Sequence, residues 1–109
     1  MEFGISGLNY ITLKQLKYDN IAVPKGFEFD GVTVKAPFTF LFSSKDLRKG
    51  IKASCFHDYM CKHKSEYTRE YATNVLVEIW QQDGLSPLKA LIVKGAVNIF
   101  QLFKGGWKC

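Results

Sequence analysis

Hydrophobic positions follow two different patterns along the chain, and the change falls near residue 44. Before it, short runs of β-branched and aromatic residues are interrupted by Gly and Pro, which predicts strands. After it, apolar residues recur at spacings of three and four, which predicts amphipathic helices. We therefore expect one α+β domain over residues 1–109, in which a small N-terminal antiparallel sheet (strand-rich 1–43) packs against three or four C-terminal helices (helical 44–109).

Short strands are expected in three parts of the N-terminal region. Residues 10–16 alternate in part between apolar and polar, and residues 21–23 form a short extended piece. Asp30-Gly31 is a strong turn signal between two apolar runs. This turn predicts a hairpin with strands near residues 26–29 and 32–35.

Capping residues and glycines set the expected bounds of the helices. Ser65 is expected to cap the third helix, and Ser86 with Pro87 opens the last one. The last helix is apolar around much of its girth, with Leu88 and Leu91 among its apolar residues, so we expect this helix to be central to the core. The predicted helices run from about 44 to 50, 52 to 62, 65 to 84 and 87 to 105.

Composition narrows the class of protein only moderately. With 109 residues, 47% of them hydrophobic, the chain can bury one core, which argues against disorder. A net charge of +5 allows contact with nucleic acid without requiring it. The N-terminus lacks the pattern of a secretory signal, and the most apolar stretch, residues 88–103, is too short to span a bilayer. Three cysteines cannot all pair within one chain, which favours a reducing compartment.

The segment at residues 54–63 holds the densest set of reactive side chains. On a helix, His57 and Cys61 lie four residues apart and face the same way, and imidazole and thiolate are donors that suit zinc. A structural zinc site needs four protein ligands, whereas Cys55 and His63 fall on other faces of the same helix. The alternative to a zinc site is that the cysteines are buried in the core or scattered over the surface as thiols that bind no metal.

His57 and Asp58 also suit an open catalytic metal site, in which imidazole and carboxylate hold a divalent ion and leave positions for water. A Cys–His nucleophile formed by Cys61 and His57 is a further alternative. In the structural alternative, a ring nitrogen of His57 binds a backbone carbonyl, and Asp58 pairs with Lys62 four residues on. The sequence contains no glycine-rich phosphate loop, nucleophile elbow, His-Glu-x-x-His pair or CxxC motif.

Four blocks of the sequence follow one another along the chain: Val23-Pro-Lys-Gly-Phe27, His57-Asp-Tyr-Met60, Arg69 with Ala72, and Ala96-Val-Asn-Ile-Phe100. In this order and spacing they resemble domain-of-unknown-function family 1353, which comprises small phage and prophage proteins. The resemblance extends over about residues 23–107.

The resemblance implies a set of site residues, because the chain keeps most of the polar positions of the family's motifs. Two positions differ: the family's aspartate after the arginine falls on Thr73, and its tyrosine after the His-Asp pair falls on Cys61. Thr73 cannot carry the negative charge that a divalent ion favours, so this chain either binds metal poorly or uses Cys61 instead. The positions that are kept are Asp30, His57, Asp58 and Arg69.

Three hypotheses for function stay open. In the first, the chain is a phage- or prophage-encoded protein of the host cytoplasm or the virion. Its Asp30, His57 and Asp58 hold a divalent ion or activate water to hydrolyse a phosphate or amide bond, with Arg69 in support. In the second, these residues are a structural brace in a non-enzymatic protein that binds a virion component, a host protein or a defence factor. In the third, the basic stretches 44–69 and 84–109 contact nucleic acid, unless they are simply a solvated basic face.

Overall fold

The computed structural model describes residues 2–7, 9–29 and 44–103, with the backbone alone for residues 44 and 96–103. Its strands precede its helices, so the fold is α+β, as the sequence predicts. The strands are β1 (Phe3–Ser6), β2 (Asn9–Thr12), β3 (Leu16–Tyr18), β4 (Ile21–Val23) and β5 (Glu28–Phe29). The helices are α1 (Ser44–Lys49), α2 (Ile51–Lys62), α3 (Arg69–Gln82) and α4 (Pro87–Phe103).

The strands form two small antiparallel sheets. In the three-stranded sheet β2 lies between β1 and β5, and β3 pairs with β4 as a hairpin. Tyr18 pairs with Ile21 across a two-residue turn. The first residue of that turn, Asp19, has a φ of 53°, a left-handed conformation that Asp tolerates better than most side chains. The expected N-terminal antiparallel sheet is therefore present in two parts.

Helix α2 lies between the strands and the other helices. It packs against β4 and β5 as well as against α1 and α3, and α3 packs in turn against α4. The core is therefore built on both sides of α2, and apolar burial along these contacts is the main stabilising term. Its largest fully buried side chains are Ile21, Val23, Phe29, Phe56, Met60, Val75, Ile79 and Trp80.

The expected starts of α1 and α2 and the end of α3 agree with the structure to within one or two residues, but two elements differ from expectation. The sequence pattern does not predict β1, whose four residues include Gly4. Helix α3 begins at Arg69 and not at Ser65, because the hydroxyl of Thr68 accepts the backbone N–H of Tyr71 at 3.1 Å. Residues 63–66 form turns instead. Both Ser65 and Thr68 can cap a helix, and spacing alone does not choose between them.

Helix α4 begins as predicted but is less central than predicted. The hydroxyl of Ser86 accepts the backbone N–H of Lys89 at 3.3 Å, which caps the helix start. Ala90 and Val93 are buried, whereas Leu88 is 70% and Leu91 is 68% exposed. The helix is therefore less buried than its apolar pattern predicts, because a helix that is apolar on many sides can turn only one side to the core.

The predicted hairpin at Asp30-Gly31 lies largely outside the described residues. Only its first strand falls within them, and that strand is present as β5, paired with β2. The predicted helix end at Gly105 also lies outside them. Among the described helices, none has the length and apolar character needed to cross a membrane.

Candidate functional site

The His57-Asp58 pair lies in the middle of α2, at the border of the face that this helix buries. Ala53, Phe56 and Met60 are fully buried, and their spacing of three and four places them on one side of the helix. His57 and Asp58 follow Phe56 directly and are partly buried. Since α2 contacts both the strands and α3, the pair lies where the two halves of the fold meet.

One ring nitrogen of His57 is buried and has no hydrogen-bond partner within residues 2–7, 9–29 and 44–103. This nitrogen is the Nε2 atom. Burial lowers the pKa of His57 from 6.5 to about 4, so the ring is neutral near pH 7. Leaving a buried polar atom unpaired costs about 1–3 kcal/mol, and native structures hold few such atoms. A neutral imidazole nitrogen is a common ligand of metal ions.

The carboxylate of Asp58 takes part in an ion pair at the edge of the site. Its Oδ2 lies 3.4 Å from Nζ of Lys62, one turn further along α2. This contact confirms the pairing that the structural alternative predicts for Asp58. For Nε2 of His57, no hydrogen-bond partner lies among the described residues, and the backbone bond that this alternative predicts for a ring nitrogen stays a prediction for Nδ1.

The block at residues 23–27 packs directly against α2. The Phe27 ring contacts the edge of the Tyr59 ring, with 5.5 Å between centroids. Nζ of Lys62 lies 5.2 Å from the centroid of the same Phe27 ring, close enough for a cation–π contact. The fold thus brings together two blocks of the sequence, one before β5 and one on α2.

Thr12 fixes the backbone of this block, a role that the sequence analysis does not predict. Its hydroxyl donates to the carbonyl oxygen of Pro24 at 2.7 Å and accepts the backbone N–H of Phe27 at 2.9 Å. Gly26 between them has a φ of 86°, a conformation that glycine adopts without strain. The sequence around a threonine in a strand does not indicate that its hydroxyl forms hydrogen bonds with a loop distant in sequence.

Asp30 follows β5 directly but lies outside the described residues, so its place beside His57 remains a prediction. Within the described ranges, no group of three or more His, Cys, Asp and Glu side chains could hold a metal ion. His57 and Asp58 therefore need at least one further ligand from elsewhere to form a protein metal site. The sequence predicts that Asp30 is this further ligand.

The two cysteines of α2 differ in chemical state. Cys55 is fully buried and free. Burial, with smaller contributions from the negative charges of Asp58 and Glu2, raises the pKa of its thiol to about 12, so it is a poor nucleophile at neutral pH. Cys61 is disulfide-bonded. In this oxidised state its sulfur offers no thiolate to a metal ion or to a Cys–His pair.

The second histidine makes a different set of contacts. Nδ1 of His63 lies 2.7 Å from the carbonyl oxygen of Tyr59, and the two rings stack with 4.1 Å between centroids. These contacts hold His63 at the C-terminal end of α2. It is therefore a suitable control for His57 in any measurement of histidine chemistry.

Arg69 and Thr73 lie one turn apart at the start of α3. The hydroxyl of Thr73 donates to the backbone carbonyl of Arg69 at 3.0 Å, and Thr73 is 1% exposed. Its hydroxyl hydrogen is therefore used within the helix. At this position, where the resemblance implies an aspartate in relatives, threonine leaves no unpaired buried hydroxyl.

Some of the basic residues at issue in the nucleic-acid hypothesis already have acidic partners. Lys62 pairs with Asp58, and Nζ of Lys89 lies 2.5 Å from Oδ2 of Asp46. Such pairing reduces the positive charge that these two lysines offer to a phosphate backbone.

The chain is thus a small α+β protein in which a His-Asp pair lies on the central helix α2. The loop at residues 23–27, which the Thr12 hydroxyl holds by two hydrogen bonds, packs against the same helix. A sequence model of the family described as "Protein of unknown function (DUF1353)" matches residues 6–97. This match covers more than half of the chain, so the chain belongs to that family, as the resemblance of its motifs predicts. No curated protein and no solved structure matches it.

Proposed function

We propose that the chain is a small phage- or prophage-encoded protein with a hydrolase-like, metal-binding site at His57, Asp58 and Asp30. The observation that carries this proposal is the buried Nε2 atom of His57, which has no hydrogen-bond partner among the described residues. A bound ion would be a partner for this atom. The His-Asp pair and the acidic residue after the Val23–Phe27 block support the assignment by their match to the family's motifs.

The electrostatic state of His57 favours a ligand over a general base. A general base works best when its pKa lies near the working pH. Burial lowers the pKa of His57 to about 4, so the ring holds a proton poorly at pH 7. The same neutral ring has a lone pair available for a cation. We therefore assign His57 the role of ligand, with Asp58 as the neighbouring carboxylate.

A divalent ion in this site would supply an activated water by lowering its pKa. The chain's own residues would contribute three things. His57 offers a neutral nitrogen donor, Asp58 and Asp30 offer negative charge, and the contacts of α2 with the strands hold His57 and Asp58 in a partly buried place. The bond hydrolysed in this proposal is a phosphate ester or an amide.

Metal analysis of protein purified without a histidine tag tests this proposal. We expect about one divalent ion per chain in the wild type, and its loss in His57→Ala. The control is His63→Ala, which removes the other histidine and leaves the metal content unchanged. Wild-type protein that takes up no ion after incubation with zinc or manganese would overturn the proposal.

A second candidate function is a non-enzymatic binding protein in which His57 and Asp58 are a structural brace. The pairing of Asp58 with Lys62 favours it, as does the lack of a three-residue metal group within the described ranges. Its working surface would lie elsewhere and contact a virion component or a host protein. In this case both His57→Ala and the wild type lack metal, and the variant is merely less stable.

A further inference from the structure

Tyrosines and carboxylates join the β3–β4 hairpin to α3. The hydroxyl of Tyr71 donates to Oδ2 of Asp19 at 2.7 Å, and the hydroxyl of Tyr18 donates to Oε2 of Glu78 at 3.4 Å. Tyr18 and Asp19 lie at the hairpin turn. Tyr71 and Glu78 lie on one side of α3, about two turns or ~10 Å apart. With Tyr67, these four residues form what we term the acidic tyrosine surface.

Both carboxylates of this surface are exposed and carry uncompensated negative charge. Neither Asp19 nor Glu78 forms an ion pair with a Lys or Arg of residues 2–7, 9–29 and 44–103. Each accepts a hydrogen bond from a neutral hydroxyl, which leaves its charge in place and further lone pairs open to donors. Two negative charges therefore lie together on a chain whose net charge is +5.

The two carboxylates act on both tyrosines, so the four groups share one electrostatic environment. The hydrogen bond to Asp19 raises the pKa of Tyr71 to about 12, with further contributions from burial and from the charges of Asp19 and Glu78. Burial and the charge of Glu78 raise the pKa of Tyr18, and the charge of Asp19 adds to this rise. Both hydroxyls therefore stay protonated near pH 7, and the field at this surface attracts a cation.

Aromatic rings lie beside the carboxylates. The rings of Tyr67 and Tyr71 stack at 8°, with 6.2 Å between centroids. Both tyrosines are only partly buried, so aromatic surface stays accessible next to Asp19. The face of a tyrosine ring attracts cations. Arginine suits both features, because its planar guanidinium stacks on aromatic rings and donates paired hydrogen bonds to a carboxylate.

We propose that the acidic tyrosine surface binds a basic, arginine-containing segment of a partner protein. One guanidinium pairs with Asp19 beside the Tyr67 and Tyr71 rings, and a second pairs with Glu78. Two negative charges along α3 suit two side chains of one segment better than a single small cation. This proposal does not depend on the site at His57, since it uses only the hairpin turn, Tyr67 and α3.

NMR titration of the isotope-labelled protein with the peptide acetyl-Gly-Arg-Gly-Arg-Gly-amide tests the proposal. We expect saturable shifts of the amide signals of Asp19, Tyr71 and Glu78. A matched peptide with citrulline in place of each arginine keeps the shape and loses the charge, so it should cause no saturable shift. Saturable shifts of equal size with the citrulline peptide would overturn the role of charge.

Two variants remove one negative charge each and keep the local shape. Asp19→Asn retains a residue that tolerates the left-handed backbone of the turn, and Glu78→Gln is similar in size to the native side chain. Each should weaken binding of the arginine peptide about threefold, the size of one exposed ion pair. The matched control is Glu28→Gln, an exposed acid on β5 in the other sheet. It should leave the affinity unchanged.

Tyr67→Leu tests the aromatic part of the surface. It should remove the preference for the arginine peptide over a peptide with lysine in the same places, because stacking on the ring favours guanidinium. An equal affinity of the wild type for the two peptides would overturn the stacking contact. Absence of saturable shifts with the arginine peptide would overturn the site. Equal weakening by Asp19→Asn, Glu78→Gln and Glu28→Gln would also overturn it, in favour of general attraction between charges.

Discussion

The indole Nε1 of Trp80 on α3 donates a hydrogen bond to the backbone carbonyl oxygen of Asp46 on α1, at 2.9 Å and in a buried place. The carboxylate of the same Asp46 pairs with Lys89 of α4. One residue of the short helix α1 is thus bound to two other helices. These contacts explain how a helix of six residues keeps a fixed position, since isolated helices of that length are unstable.

Trp80→Phe should lower the free energy of unfolding by about 1–3 kcal/mol, because it removes this hydrogen bond and part of a buried ring. The measurement is urea unfolding followed by circular dichroism. A change smaller than about 0.5 kcal/mol, the usual size for surface positions, would mean that the bond does not hold α1.

Thr12 and Thr73 provide a matched pair of buried hydroxyls, since each is 1% exposed. Thr12→Val removes the hydrogen bonds to Pro24 and Phe27, so it should lower the free energy of unfolding by about 1–3 kcal/mol. Thr73→Val should cost less than about 0.5 kcal/mol, because the Arg69 carbonyl still accepts its helical N–H bond. Equal losses in the two variants, by urea unfolding, would contradict the role of Thr12 in holding the loop.

The stability of the protein should fall as the pH is lowered from 6.5 to 4. Burial depresses the pKa of His57 from 6.5 to about 4, so in this range the unfolded chain binds a proton that the folded chain does not. Stability from this residue is complete above pH 6.5, and up to about 3 kcal/mol is lost by pH 4.

Urea unfolding at a series of pH values measures this loss. His57→Leu should remove the part of the pH dependence of the free energy of unfolding that comes from His57. His63→Gln should leave that part unchanged. A wild-type slope that His57→Leu leaves unchanged would show that the imidazole is not buried in the way described.

The thiol of Cys55 should resist alkylation in the native protein. It is fully buried, and burial raises its pKa to about 12, so little thiolate is present or accessible. Peptide mapping after iodoacetamide treatment should find residue 55 modified only in denaturant. Rapid modification of Cys55 in the native protein would contradict its burial in α2.

The sequence predicts those parts of the fold that depend on one periodic pattern. The spacing of Ala72, Val75 and Ile79 predicts a buried face of α3, and all three residues are buried. The exposure of Leu88 and Leu91 is not predictable in this way, because the apolar pattern of α4 extends around much of the helix. Which side turns to the core depends on how α4 packs against α3.

For the candidate site, the motif predicts which residues to consider but not their environment. His57 and Asp58 stand out by residue type and spacing. Burial of the Nε2 atom of His57 depends on every side chain packed around it, and the bonds of Thr12 depend on a loop distant in sequence. These features arise from tertiary contacts, so a local pattern cannot indicate them.

The most direct measurement is the nitrogen NMR spectrum of protein labelled at its two histidines, recorded during titration with zinc. We predict that the Nε2 signal of His57 shifts and saturates at one ion per chain, while the signals of His63 stay in place. An unchanged His57 signal at saturating zinc, or a shift at His63 alone, would contradict a metal site at His57 and Asp58.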